Sequence, residues 1–221
     1  MDADFWHQRW AKNEIGFHRS EHHPSLIRFW PTLGVPEGAP VFVPLCGKSR
    51  DLLWLRAAGH EVIGVELSPL AVESFFAENG IPARVGRDGA FDVYRGGGFT
   101  LYCGDFFALE PALLAGVHGV YDRAALVALP PALRRDYAAH LVRLLPPATQ
   151  TLLVSFEYPQ EEMDGPPFSV GEDEIRTLFA PVAAIEHLAT SDILAQEERF
   201  RKRGLSRLVE KTFRLRHRAT M

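Results

Sequence analysis

Cysteine is nearly absent. Only Cys46 and Cys103 occur, too few for a disulfide scaffold or a four-ligand zinc site, so reduced thiols in a reducing compartment are expected. Long apolar runs are missing as well: no stretch approaches the ~20 apolar residues that a membrane helix needs. The first residues, Met1 to His7, are acidic and lack the basic and apolar regions of a signal peptide. A cytoplasmic protein without membrane contact is the expectation. Positive charge is not in surplus either, since 24 Lys and Arg stand against 28 Asp and Glu for a net charge of -4. Such a chain has no basic field to release counterions from nucleic acid, which points to a small molecule as partner. Repeats, low-complexity tracts and long linkers are also lacking.

What is present is an ordinary globular composition, 47% hydrophobic and 24% charged over 221 residues, which suits one domain and a monomer. Apolar β-branched runs alternate with amphipathic stretches. The pattern predicts strands over Val41 to Leu45, Glu61 to Leu67, Thr100 to Cys103, Gly119 to Asp122 and Thr151 to Phe156. Helices are expected over Asp51 to Ala58, Pro69 to Asn79 and Pro131 to Leu145. This rhythm predicts an α/β fold of Rossmann-like type, a mostly parallel sheet with helices on both faces. Beyond residue 160 a Pro-Gly loop, Gly165 to Phe168, precedes a helix over Glu172 to Phe179. Two late strands, Val182 to Leu188 and Leu208 to Leu215, are expected antiparallel at a sheet edge. The chain thus divides into an amino-terminal helical lid (1–30), a cofactor-binding core (40–160) and an acceptor-site loop, helix and edge strands (161–221). In the lid, Asp2 or Asp4 is the candidate N-cap, and Phe5, Trp6 and Trp10 share one helix face.

The segment Val41 to Leu52 reads as strand, glycine turn and helix start, which places a ligand at the carboxyl end of the first strand. Gly47-Lys48-Ser49 imitates the end of a phosphate-binding loop, but the required earlier glycine is Phe42. The G-x-G-x-x-G dinucleotide pattern fails too, because Gly47 is the sole glycine between Gly38 and Gly59. About 20 residues after the turn, Glu66 closes the strand Val62 to Glu66, where an acid accepts hydrogen bonds from ribose hydroxyls. Asp105, after the third strand, is placed to accept from an adenine amino group, with Phe106 stacking on the base. An adenosyl ligand without phosphates fits all of these signals, as in the cofactor half of a class I methyltransferase. Structural roles compete: Glu66 and Asp105 as helix caps, Trp6 and Trp10 as core, Arg123 and Arg199 in surface ion pairs.

The sequence also resembles a known family. Trp6 and Trp10 followed by Phe17-His18, the run Val43 to Ser49, Gly59 to Glu66, Asp122 to Ala128, Gly165 to Phe168 and Glu197 to Arg199 are similar to the motifs of the thiopurine S-methyltransferase family. The resemblance spans nearly the whole chain. It implies an S-adenosyl-L-methionine-dependent enzyme that methylates the thiol of thiopurines or other small aromatic or heterocyclic thiols, and also selenium or tellurium compounds in detoxification. It implies that Trp6, Trp10 and Phe17 close over the cofactor, that Leu45 and Gly47 contact it, and that Glu66 holds its ribose. Asp105 would face the adenine. Arg123 would border cofactor and acceptor, and Arg199 would line the acceptor pocket with the Gly-Pro-Pro-Phe loop; these two arginines are the candidate catalytic residues.

No metal is expected: His18, His22 and His23 lack an acid or cysteine at ligand spacing and read as surface or capping residues. Cys46 is not needed as a nucleophile. A different small-molecule methyltransferase, a nicotinamide-dependent oxidoreductase and a noncatalytic adenosyl sensor are the alternatives. A nucleic-acid methyltransferase would need an Asn-Pro-Pro-aromatic or Pro-Cys motif, and neither occurs.

Overall fold

The chain enters through two short helices, α1 (Ala3–Ala11) and α2 (Pro24–Phe29). The alternating core follows as β1 (Val41–Val43), α3 (Asp51–Ala57), β2 (Val62–Glu66) and α4 (Pro69–Glu78). Next come β3 (Arg84–Asp88), β4 (Phe91–Gly96), β5 (Phe99–Cys103), β6 (Gly119–Arg123), α5 (Pro131–Leu144) and β7 (Gln150–Glu157). The end of the chain supplies α6 (Glu172–Phe179), β8 (Ala183–Asp192), α7 (Glu198–Lys202) and β9 (Val209–His217). The computed structural model describes residues 3–218.

Among the described residues all nine strands join one sheet in the order β3-β4-β5-β2-β1-β6-β7-β9-β8. The five central strands, β5 to β7 in that order, run parallel. Antiparallel strands flank them on both sides. The late strands are antiparallel as expected, although β9 lies inside β8 rather than at the edge. β1 is buried along its whole length, as a strand covered by helices on both faces must be. Phe42 packs into one cluster with Val65, Val120, Leu153 and Tyr137. Val41 and Val43 face the other way, toward Leu52, Leu55, Phe75 and Trp30. Complete burial of a side chain such as Phe42 is worth roughly 1.5–3 kcal/mol.

Expected and observed elements differ in several places. The expected strand Val41 to Leu45 ends at Val43, because Pro44 has no N–H and Leu45 turns into the left-handed region at φ 45°. A hairpin, β3 and β4, was not expected at all. It turns through Gly89-Ala90, with Gly89 at φ 55°, and a glycine at the first position of a two-residue loop favours tight hairpins. The expected helical lid is interrupted between α1 and α2. Asp4 lies in the first turn of α1 rather than at its cap, where a carboxylate still complements the helix dipole; Asp2 lies outside the described residues.

The second half of this preamble is fastened to the sheet. Asp51, nearly fully buried, accepts from the Tyr121 hydroxyl at 2.9 Å and from the His23 backbone N–H at 2.8 Å. His23 in turn caps α2, its Nδ1 accepting from Ser25 N at 3.3 Å. That bond leaves the proton on Nε2, which lies 3.0 Å from Glu210 Oε2 in β9. His23 is therefore a capping histidine.

Candidate active site

Running outward from the sheet centre, the chain builds β1, β2 and β5 in one direction and then β6 and β7 in the other. A crevice opens at such a reversal, at the carboxyl ends of the strands, and binds ligands in folds of this kind. Here it forms a cavity of about 410 Å³ whose walls include Leu45, Gly47, Glu66, Asp105 and Arg123. The residues following both strands at the reversal have unusual backbones: Leu45 stands at φ 45° and Ala124 at φ 69°. Left-handed conformations of non-glycine residues are costly and concentrate at functional sites.

Glu66 ends β2 and is buried. One carboxylate oxygen accepts from Gly47 N at 2.9 Å and the other from Ser68 N at 2.9 Å. Burial pushes its pKa up, while these amides and the more distant His7 pull it back. Its carboxylate thus ties the glycine turn to the start of α4. Asp105 caps a short 3-10 turn, its Oδ1 accepting from Phe107 N at 3.0 Å, so the capping role holds for one oxygen. Phe106 is packed away from solvent, with its ring 4.8 Å from Tyr137 and 5.0 Å from His140. One ring face is thereby occupied by protein, and the more exposed Phe107 stands beside it in the cavity wall.

Over the crevice lies the first lid helix. Trp10 is 6% exposed and forms edge-to-face contacts with Phe17, which also meets Trp6. The three rings line the cavity together.

Two guanidinium groups of the cavity wall meet the segment around Phe17. Arg123, at the end of β6, donates from Nη1 to Phe17 O at 3.4 Å, and its buried Nε has no hydrogen-bond partner. Arg199, in α7, lies against Gly16 and over the ring of Phe200 at 4.4 Å. Its Nε is 3.4 Å from Glu197 Oε2 without hydrogen-bond alignment. Glu197 also accepts from Arg19 at 2.9 Å. Desolvation, and the positive charge of Arg123 acting against the attraction of Glu197, lower the Arg199 pKa. The Gly-Pro-Pro-Phe loop adds Pro166 and Pro167 to the wall. That loop is held by Phe168 N donating to Val127 O and the Tyr158 hydroxyl donating to Pro167 O, both at 2.7 Å.

The expected site residues thus meet around one cavity, although they come from distant parts of the chain. Sequence reasoning passed over two participants. His18 lines the cavity instead of the outer surface, and nothing in its periodicity could have said so, because it sits in the irregular lid loop. Tyr137 was also missed; its hydroxyl donates to buried Asp122 at 2.6 Å, beneath the arginine. Cys46, although in the wall, is buried, and desolvation with the nearby Glu66 charge pushes its thiol pKa well up. It is a poor nucleophile.

The donor set suits an adenosyl ligand with a sulfonium. An acidic group closes the second strand, aromatic rings cover the crevice, and no phosphate cradle is present. Structural likeness points the same way. A solved structure from work on converting a disulfide bond into a thioacetal group during echinomycin biosynthesis superposes with a TM-score of 0.69 at 16% identity, covering 98% of this chain and 92% of the other. The Burkholderia thailandensis 1,6-didemethyltoxoflavin-N1-methyltransferase, solved with S-adenosylhomocysteine, gives a TM-score of 0.65 at 17% identity and covers 98% and 87%. At these identities the likeness speaks for the fold. Sequence relatives are much nearer. A thiopurine S-methyltransferase of Nitrosospira multiformis is 52% identical over 97% of this chain and 98% of its own length. One of Pseudomonas fluorescens is 50% identical over 98% and 99%. Residues 1–218 match the model of the thiopurine S-methyltransferase family, and the chain therefore belongs to that family of S-adenosylmethionine-dependent methyltransferases.

Proposed function

We propose that the methyl group goes to the sulfur of a thiopurine or another small aromatic or heterocyclic thiol, held as its anion between Arg123 and Arg199. The carrying observation is that both arginines present a buried Nε without a hydrogen-bond partner beside a cavity whose walls include Pro166, Pro167, Phe17 and Leu129. An unsatisfied buried donor is costly, and a soft anion would relieve both. Arginine suits this task because it stays protonated and offers a planar fork of donors.

S-adenosylmethionine supplies an electrophilic methyl on a sulfonium. In this reading Glu66 accepts from the ribose with lone pairs not used by Gly47 and Ser68, and the free Oδ2 of Asp105 accepts from the adenine amino group. Leu45, Gly47 and the edge of Phe106 pack against the cofactor. Trp6, Trp10 and Phe17 exclude water and offer aromatic faces to the cation, worth ~0.5 to 2 kcal/mol. Arg123 and Arg199 align the nucleophile and stabilise its charge until it is neutralised by bond formation. Selenols, softer and more acidic than thiols, satisfy the same site, as would reduced tellurium species.

Turnover with S-adenosylmethionine against a panel of thiopurines, aryl thiols, selenols and reduced tellurium compounds tests the reading. Formation of methylated products is expected. Methylation confined to oxygen or nitrogen acceptors would exclude it.

A further inference from the structure

His18 stands next to Phe17, whose carbonyl accepts from Arg123. His18 lines the same cavity as Arg123 and Arg199. Among the described residues neither ring nitrogen has a hydrogen-bond partner, in contrast to His23, His60, His140 and His217, whose rings are all engaged. A half-buried imidazole that is left free at the rim of an anion site is available to a ligand.

We propose that His18 is the general base of methyl transfer to acceptors that arrive as neutral thiols. The inference rests on the thiol reading above. In the step, a ring nitrogen of His18 takes the proton as the S–H bond breaks. The electron pair of that bond remains on sulfur and forms the new S–CH3 bond, while the CH3–sulfonium bond breaks and leaves its pair on the cofactor sulfur. Products are the methyl thioether, S-adenosylhomocysteine and an imidazolium that returns its proton to water.

The surroundings keep the base in its working form. Lys48 and Arg50 face it from the turn after β1, Arg123 from β6 and Glu78 from α4. Glu78 is tied to Lys48 at 2.6 Å. On its own loop, Arg19 pairs with Glu197 and Glu14 with Arg9. Burial and the surrounding cations lower the His18 pKa against the pull of Glu78, so the ring is neutral at physiological pH. The same arginines depress the pKa of a bound thiol and bring donor and acceptor closer together, the condition for efficient general-base catalysis.

The test compares parent and His18→Gln enzymes on thiols whose pKa spans ~5 to ~10. Near pH 7 the variant should lose on the order of 100-fold in kcat/KM for thiols at the upper end, which are scarcely ionised, and only a few-fold for an acidic nitro-substituted thiobenzoate. Raising the pH toward the thiol pKa should restore the variant. The parent should show an acidic limb in kcat/KM for weakly acidic thiols that lies below the usual imidazole pKa and is absent from the variant. Calorimetry with S-adenosylhomocysteine should give affinities within twofold of each other. A loss equal across the series, or no loss, overturns the role of His18. Should the variant not fold, the parent's profile still decides: no acidic limb for weakly acidic thiols overturns it as well. A parent that methylates no thiol sinks the thiol reading and this inference together.

Discussion

The indole of Trp10 packs directly on Gly47: a side-chain carbon at position 47 would lie 3.1 Å from its Cζ2 and 3.4 Å from its Cη2. Gly47 also stands at φ 53°, where any other L-residue is strained by roughly 1–2 kcal/mol. Gly47→Ala therefore acts twice, on the turn and on the lid seated upon it. We expect a loss of about 1–2 kcal/mol in unfolding free energy and a blue-to-red shift of tryptophan emission as Trp10 is displaced. Denaturant titration followed by fluorescence measures both, and a variant with parent stability would show that the turn relaxes freely.

Glu66 joins the glycine turn to α4 through two amides. Glu66→Ala leaves both donors unpaired at a cost of about 1–3 kcal/mol each and removes the proposed ribose acceptor. Cofactor affinity should fall at least tenfold by calorimetry. Glu66→Gln keeps an acceptor and should fall less; equal affinity in parent and alanine variant would remove Glu66 from the site.

Trp6, Trp10, Phe17 and His18 line the cavity that the cofactor is proposed to fill. Amide exchange in the segment around them should slow on addition of S-adenosylhomocysteine, while exchange in β3 and β8, far from the cavity wall, stays as it was. Equal exchange with and without ligand would make Trp6 and Trp10 permanent core residues.

Arg199→Ala should lower turnover of thiol acceptors ~100-fold, the usual effect of losing one donor to a developing or resident anion. Arg199→Lys keeps the charge and loses the fork. It should recover most of the rate if charge dominates, and almost none if two-donor geometry dominates. Circular dichroism checks the fold, and an Arg123→Ala/Arg199→Ala double variant with parental kinetics would make both residues structural.

Asp122 is fully buried below Arg123, and desolvation, opposed by the Tyr137 hydroxyl and the amides of Leu126 and Ala125, raises its pKa from 3.8 to about 6. A raised folded-state pKa means that this group contributes stability which is present at acidic pH and lost as pH rises from the unfolded value toward about 6. The difference is on the order of 3 kcal/mol. Asp122→Asn should remove that slope, so the stability of variant relative to parent should rise between pH 4 and pH 6, ~3.9 being the unfolded value. Parallel pH–stability curves for the two proteins would contradict the shift.

The alternating core was legible because its strands are buried on both faces and so appear as short continuous apolar runs. β3 was not, because Arg84 to Asp88 is exposed throughout and carries no periodic signal; only the glycine of its turn, Gly89, marks it. β8 extends to Asp192, past the expected Leu188, since its polar end is held by the ladder to β9 across a bulge at His187 and Ala189. Gly47 and Glu66 could be found from spacing alone because both belong to one βαβ unit. Arg199 could not: it reaches the cavity only because the chain runs through β8 before α7 and then returns as β9, a non-local path that the resemblance to a family supplied. The histidines show the same limit, for His23 and His18 are neighbours in sequence, yet one is locked to Glu210 and the other faces the cavity.

The fastening of His23 to Asp51, and of Asp51 to Tyr121, gives the molecule a fixed pivot between its cover and its scaffold. Among the described residues before 23 none belongs to a strand, so the ladder of the sheet does not depend on that segment for pairing. Libraries over residues 3–22 that keep Trp6, Trp10, Phe17 and His18 would alter acceptor preference while sparing the sheet, and a lineage could diversify its substrates by the same route.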